Sequence, residues 1–240
     1  MIYIPSCGGR TFAQDTKALD QRPLFEVVTA ILEKANFEVL IPPSINTLCC
    51  GMPWQSKGDL LSAKQKSDSL IAVIESFNQN NTIPVIMDAS PCVLTLNSSD
   101  ENGLKVYETA QFINQNVLGA LSICPQTQPI TLHITCSSKK QNIEHHLINI
   151  AKTCASEVLI PSDINCCGFA GDKGFFEPKL NENALKTLKP QIKNFSKESG
   201  SITEGFSNSK TCEIGLSKAS DIPYQSIVYL LDRVSSSLGG

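Results

Sequence analysis

Ten cysteines stand in this chain of 240 residues, and eight of them fall into two sets of one pattern. Cys7, the adjacent pair Cys49 and Cys50, and Cys92 form the first set. Cys136, the pair Cys166 and Cys167, and Cys212 form the second. A glycine follows each pair, Gly51 in "NTLCCGMPWQSKGD" (46–59) and Gly168 in "INCCGFAGDKGF" (164–175). Thiolates are nucleophiles and soft metal ligands, so such a set can bind metal, exchange electrons or form disulfides. The N-terminus "MIYIPSCGG" shows no charged segment followed by an apolar run, which predicts no secretory signal and a cytoplasmic chain. In that reducing compartment cysteines stay free, and a patterned set points to metal or redox work. Cys124 and Cys154 have no counterpart in the repeat and are expected to be buried small hydrophobes.

Four gathered thiolates suit zinc or an iron–sulfur cluster. Structural zinc usually takes closely spaced C-x-x-C pairs, which are absent here. Directly adjacent cysteines send their side chains apart, which favours an object with several metal atoms. An iron–sulfur cluster, whose ligands are Cys thiolates, is such an object. All eight matched cysteines are therefore candidate metal ligands. Gly51 and Gly168 are candidate cofactor-binding positions, able to take unusual dihedrals and to turn neighbouring N–H groups toward sulfur.

The elements that must position these thiols also repeat. "IYIPSC" and "ITLHITC" read as short strands, each ending at the first cysteine of its set. Amphipathic helices follow, carrying Leu24, Val27, Val28, Ile31 and Leu32 in the first half. Ile143, Leu147, Ile148 and Ala151 do the same in the second. "FEVLIPPSIN" (37–46) and "SEVLIPSDIN" (156–165) read as strands leading into the double cysteines. Helices are expected over 60–77 and around 178–194, then strands ending near Cys92 and Cys212. Closing helices should start at Tyr107 and Tyr224, which lie 117 residues apart, the same offset as Cys49 and Cys166. Every matched cysteine is thus placed at a strand end or in the loop beyond it, where open α/β sheets bind ligands. The expected fold is α/β: two tandem repeats, 1–124 and 125–240, with mainly parallel sheets, related by a pseudo-twofold axis. "SICPQTQPIT" (122–131) reads as the boundary between them.

This duplicated order of strand-end cysteine, CCG and further cysteine resembles the cysteine-rich CCG domain. That domain occurs in heterodisulfide reductase and in the iron–sulfur subunits of glycolate oxidase. "CCGMPWQSKG", "DASPC", "HITCSSKK", "CCGFAGDKGF", "SKTCEIGLS" and "YQSIVYLLD" further resemble the C-terminal region of bacterial FAD-linked, iron–sulfur D-lactate dehydrogenases. The resemblance covers essentially the whole chain. It implies an electron-transfer role with iron–sulfur clusters, of the 4Fe-4S kind, and FAD on a separate domain or chain. Implied partners are FAD-binding and ferredoxin-type domains or subunits and a quinone or cytochrome acceptor, at the inner face of the membrane. The fullest family motif ends in C-x-x-C; here Ala89 and Ser209 replace its first cysteine. Four thiolates per half leave open a cubane, a smaller cluster, a Ser209-assisted site or one empty half. A cluster-based disulfide reductase and a zinc-stabilised binding module are the rival readings.

Other classes find less support. The net charge is −3 with Lys and Arg scattered along the sequence, which disfavours nucleic acid. No apolar run approaches the roughly 20 residues of a membrane span. No ferredoxin run and no dinucleotide fingerprint occur. Among remaining residues, His133 reads as a core histidine, and His145 and His146 as solvated on a helix face. Asp172 and Lys173 could position a substrate or partner, or simply form a polar turn. Arg10 could neutralise an anionic cluster or lie on the surface, and Trp54 could shield a cluster or pack in the core.

Overall fold

The computed structural model describes residues 1–78, 80, 82–99 and 103–238. The first half opens with β1 (Ile2–Ile4), the short helix α1 (Cys7–Thr11) and α2 (Leu24–Lys34). After the first cysteine pair come α3 (Met52–Gln55), α4 (Leu60–Phe77), β2 (Val85–Met87), α5 (Ser90–Ser99), β3 (Val106–Glu108) and α6 (Thr109–Asn116). The chain then passes through β4 (Leu121–Ile123) into β5 (Ile130–Leu132), α7 (Cys136–Lys140), α8 (Glu144–Cys154) and β6 (Val158–Leu159). Beyond the second pair lie α9 (Lys173–Phe176), α10 (Pro178–Ala184), α11 (Leu188–Ser199), β7 (Gly205–Ser207) and α12 (Lys210–Ser220). The last elements are β8 (Tyr224–Ser226), α13 (Ile227–Val234) and β9 (Ser235–Ser237). Among the described residues no helix is long and apolar enough to cross a membrane.

The fold is α/β with mostly parallel sheets. One sheet has the order β1-β2-β3 and the other β6-β5-β7-β8, both wholly parallel. Leu40 bridges to Ile2 at the β1 edge, so a single residue stands where β6 flanks β5. Both sheets bury one face against a shared helical layer. There α2 packs on α13 and α6 on α8, each helix meeting one from the other half. Tyr3 and Ile86 of one sheet and Ile130, Leu132 and Phe206 of the other join this core. The opposite face of each sheet carries a smaller apolar cluster, and those clusters contain the buried cysteines Cys50 and Cys92, and Cys167 and Cys212. Asp232 on α13, largely buried, holds Arg22 and Lys34 at 2.6 Å each and pins α13 to the first half.

Several expected elements differ from those observed. The stretches 37–46 and 156–165 pair only at Leu40 and at Val158–Leu159. Pro42, Pro43 and Pro161 lack the N–H a strand must donate and stop the pairing. Tyr107 and Tyr224 lie in β3 and β8 and not in helices. Both strands are buried, and helical periodicity begins only after Glu108 and Ser226. The helix expected around 178–194 is two helices, because Pro190 cannot donate to the Lys186 carbonyl and is tolerated only in the first turn of α11. The stretch 122–131 is not a bare connection. It begins in β4, which pairs antiparallel with β9, and ends in β5. Cys154 is fully buried as expected, its thiol pushed up to about 12 by burial. Cys124 is exposed, one residue past the end of β4. His146 is also buried, not solvated: with Leu147 and Ile150 it lies on the α8 face against α6, where Asn114 Nδ2 meets its Nδ1 at 2.8 Å. His145 is exposed.

Candidate metal centre

Each half brings its four matched cysteines into contact. In the first, Cys7 touches Cys49, Cys49 touches Cys50, and Cys50 touches Cys92. All four line one small cavity of about 10 Å³ with Ile4, Leu70 and Met87 among its walls. In the second, Cys136 meets Cys166, Cys166 meets Cys167, and Cys167 Sγ donates to Cys212 Sγ at 2.6 Å. Local folding explains the convergence. Cys7 and Cys136 open α1 and α7 shortly after β1 and β5, where Ser6 and Thr135 cap the helices by accepting from Gly9 and Ser138 N–H. Cys92 and Cys212 lie in the first turns of α5 and α12, not in loops. Each Cys-Cys pair lies in an irregular segment.

Backbone amides surround these sulfurs. Gly8, Gly51 and Met52 N–H groups serve Cys7, Cys49 and Cys50; those of Gly168 and Phe169 serve Cys166 and Cys167. The Gly168 N to Cys166 Sγ distance is 3.3 Å. Such donors favour the thiolate, the form that binds metal. Hydrogen bonds from Cys136 and then Cys167 drive Cys166 far below an ordinary thiol, while the bond given to Cys166 and burial push Cys136 up. Within the second set, hydrogen bonding thus favours the thiolate at Cys166 over its neighbours Cys136 and Cys167. Among the described residues no three His, Cys, Asp or Glu side chains form a ready single-ion site. The donor set fits a polynuclear group: contiguous thiols, amide donors, and walls of apolar side chains.

Gly51 and Gly168 have φ of +87° and +75°. Their backbones press against the protein itself. A Cβ on Gly51 would strike the Ala63 carbonyl, and one on Gly168 the Leu180 carbonyl and Asn181 Cα. Asn181 Nδ2 donates to the Cys167 carbonyl at 2.6 Å, so α10 clamps the second pair. Both glycines thus allow the turn that aims amides at sulfur.

Arg10 donates to the Pro5 carbonyl and to Asn46 Oδ1, and its charge opposes the rise of the Cys7 thiol. Trp54 is half-buried, with Lys66 Nζ 5.6 Å from the ring centre. Asp172 pairs with Lys57 of the first half at 2.7 Å, and Phe12 stacks on Phe175, so the loops after both pairs are joined. Lys173 begins α9. Between these loops lies a cleft of about 210 Å³ lined by Cys7, Met52, Cys92, Asp172, Ser209 and Lys210. The scattered positive charge also gathers locally: Lys186, Lys189, Lys193, Lys197 and Lys218 line one outer groove.

Sequence reasoning missed a buried polar seam between the halves. Ser90 Oγ bonds Thr135 Oγ1 at 2.8 Å and Ser137 Oγ at 2.7 Å, and Asn208 joins Thr135 and Ser138. Tyr3 and the Ser6 amide donate to Asp88, whose carboxyl is pushed up by burial. The signal was present as polar residues directly after apolar strands, Asp88 and Asn208, each four positions before a cysteine. Glu108 belongs to this seam. Burial raises its carboxyl to about 7 against the donors Gln111 N–H and Asn208. A carboxyl raised on folding holds its proton longer folded than unfolded. Stability is therefore full below about 4.5 and falls as pH rises toward 7. Glu108→Gln should remove that loss. Its unfolding free energy should exceed wild type by about 2–3 kcal/mol at pH 8, at 1.36 kcal/mol per pKa unit. Near pH 4.5 the two should coincide, and a constant difference at both pH values would refute the cause.

Residues 130–216, from β5 into α12, match the family model of the cysteine-rich domain, CCG. The match spans Cys136, Cys166, Cys167 and Cys212, and it is consistent with an iron–sulfur electron-transfer module. No curated protein matches the chain. Similar solved structures include an aspartate racemase homologue from Pyrococcus horikoshii OT3, at 12% identity over 97% of this chain and 95% of that one, TM-score 0.36. Allantoin racemase from Klebsiella pneumoniae is 13% identical over 97% and 84%, TM-score 0.30.

Proposed function

We propose that this chain is the iron–sulfur electron-carrying module of a flavin-linked D-lactate (2-hydroxy acid) dehydrogenase. The observation that carries the reading is the contact of four cysteine sulfurs within each half. Cys7, Cys49, Cys50 and Cys92 would hold one cluster, and Cys136, Cys166, Cys167 and Cys212 the other, each 4Fe-4S in kind. A bound cluster supplies reversible one-electron storage. The chain's own residues do the rest. The thiolates ligate, the amides of Gly51 and Gly168 and of the residues after them stabilise negative charge on sulfur, and the apolar clusters cover the inner thiols Cys50, Cys92, Cys167 and Cys212, while Cys7 and Cys136 stay exposed. The two units 1–124 and 125–240 each build one such site. FAD and ferredoxin-type centres belong on separate domains or chains, with a quinone or cytochrome as acceptor and a location at the inner face of the membrane.

The test is anaerobic purification followed by iron, sulfide and zinc analysis with EPR. Iron and acid-labile sulfide in near-equal amounts, with a signal on dithionite reduction, are expected; zinc alone would sink the reading. The chain by itself should not oxidise D-lactate. Reduction of an added organic disulfide at enzymatic rates would favour the disulfide-reductase class instead.

A further inference from the structure

The helices α10, α11 and α12 enclose an outer groove of about 720 Å³. Five lysines line it. Lys186 precedes α11, and Lys189, Lys193 and Lys197 follow at steps of three and four residues, which sets them in one stripe along the helix. Lys218 of α12 is the fifth. All five are exposed. Of these lysines only Lys189 has an ion-pair partner among the described residues, Asp221. Glu182 is the one acidic residue among those described in the lining, within a chain of net charge −3. Like charges on adjacent helical turns repel, so this stripe is relieved when an anionic partner fills the groove.

The inner wall of the groove belongs to the second centre. Asn181, which lines it, donates to the Cys167 carbonyl at 2.6 Å. Leu185, also in the wall, packs in the apolar cluster that holds Cys167 and Cys212. Lys218 shares its helix with Cys212. In the first half, α4 follows the cysteine pair and carries Lys64 and Lys66, with Lys64 paired to Asp68 on the same helix. We propose that the lysine groove docks the acidic face of a separate electron-transfer protein and makes the second centre the point of exchange with it. The inference rests on the iron–sulfur reading and adds a place and a partner chemistry to it. Lysine chemistry selects a protein over other anions. Nucleic acid and phosphate are met by arginine forks, and single strands by stacking aromatic rings; the described lining has neither. A membrane surface is met by lysines beside exposed aromatic or leucine side chains, whereas the leucine here, Leu185, is buried. Ammonium groups on flexible stems suit a transient encounter, in which complementary charge steers approach over a small interface.

The probe is a small acidic ferredoxin carrying a 4Fe-4S cluster, used with the full chain purified anaerobically. Calorimetry measures its binding at low salt to wild type, to Lys193→Glu with Lys197→Glu, and to Lys105→Glu with Lys152→Glu. The last two lysines are exposed outside the groove and match the change in charge. Freeze-quench EPR follows reduction of each centre, the second being the one whose signal is lost in Cys167→Ser. The groove variant should bind about tenfold more weakly, and its second centre should be reduced about tenfold more slowly. Its thermal midpoint should match wild type, and the control should stay within about twofold of wild type in both readouts. Raising salt to about 0.15 M should shrink the contrast. No binding by wild type, equal binding by all three proteins, or equal loss in both variants would overturn the docking surface. Loss of self-association or of binding to phosphatidylglycerol vesicles in the groove variant, with ferredoxin binding unchanged, would overturn it too, by giving the groove to a second copy or a membrane. Wild-type chain without iron would overturn the functional reading, while the calorimetric contrast needs no metal in this chain and judges the surface separately.

Discussion

Cys167→Ser should lose about half of the bound iron and one of the two EPR signals, leaving the other nearly intact. Cys167 sits between Cys166 and Cys212 in the contact chain and is 3% exposed. Asn181 holds the adjoining carbonyl and α12 carries Cys212, so its position in the contact chain is fixed from both sides. Serine is smaller and a far weaker ligand for soft metals than thiolate. The effect should stay within one half, since Cys50 and Cys92 belong to a different apolar cluster from Cys167 and Cys212. Cys50→Ser should therefore remove the complementary signal. Cys154→Ser and Cys124→Ser serve as controls and should leave iron unchanged. Unchanged iron in both Cys167→Ser and Cys50→Ser would refute the ligand assignment.

Gly168→Ala should lower stability by about 2–5 kcal/mol, by a route independent of metal. An alanine at φ +75° costs about 1–2 kcal/mol from its Cβ alone. That Cβ then meets the backbone of α10, with Asn181 Cα at 2.7 Å, and such overpacking costs about another 1–3 kcal/mol. For a chain of this size each kcal/mol shifts the thermal midpoint by about 2–4 °C. The metal-free chain should thus melt many degrees lower. Gly58→Ala separates the two causes: φ is +84° there, with nothing near the new carbon. Its loss should be confined to the dihedral cost. Equal losses for the two variants would show that the contact with α10 contributes nothing.

The sequence-level account succeeds where a pattern is local and repeated. α4 spans the 60–77 that its apolar spacing predicts, and α2 buries Leu24, Val27, Val28, Ile31 and Leu32, the residues recurring at helical spacing. The eight cysteines meet because each set is tied to strands of one parallel sheet. It fails where the deciding partner is distant in sequence. Three-residue strands such as β3 and β8 carry too few residues to show alternation, and only their neighbours in the sheet define them. His146 reads as solvated because its partner Asn114 belongs to the other half. The polar seam was invisible for the same reason: Ser90 and Thr135 are each ordinary in a turn and become informative only when placed together.

The pairing of α2 with α13, and of β4 with β9, has a bearing on how the protein is made. Residues 24–34 cannot cover their apolar side until residues 227–234 have been synthesised, so early-emerging chain waits with Val27, Val28 and Ile31 uncovered. Contacts so remote along the chain slow the final collapse and lengthen exposure to aggregation and oxygen. Maturation on the ribosome is thereby restricted to fragments. Completion is a late, nearly all-or-none event that follows translation of the second half.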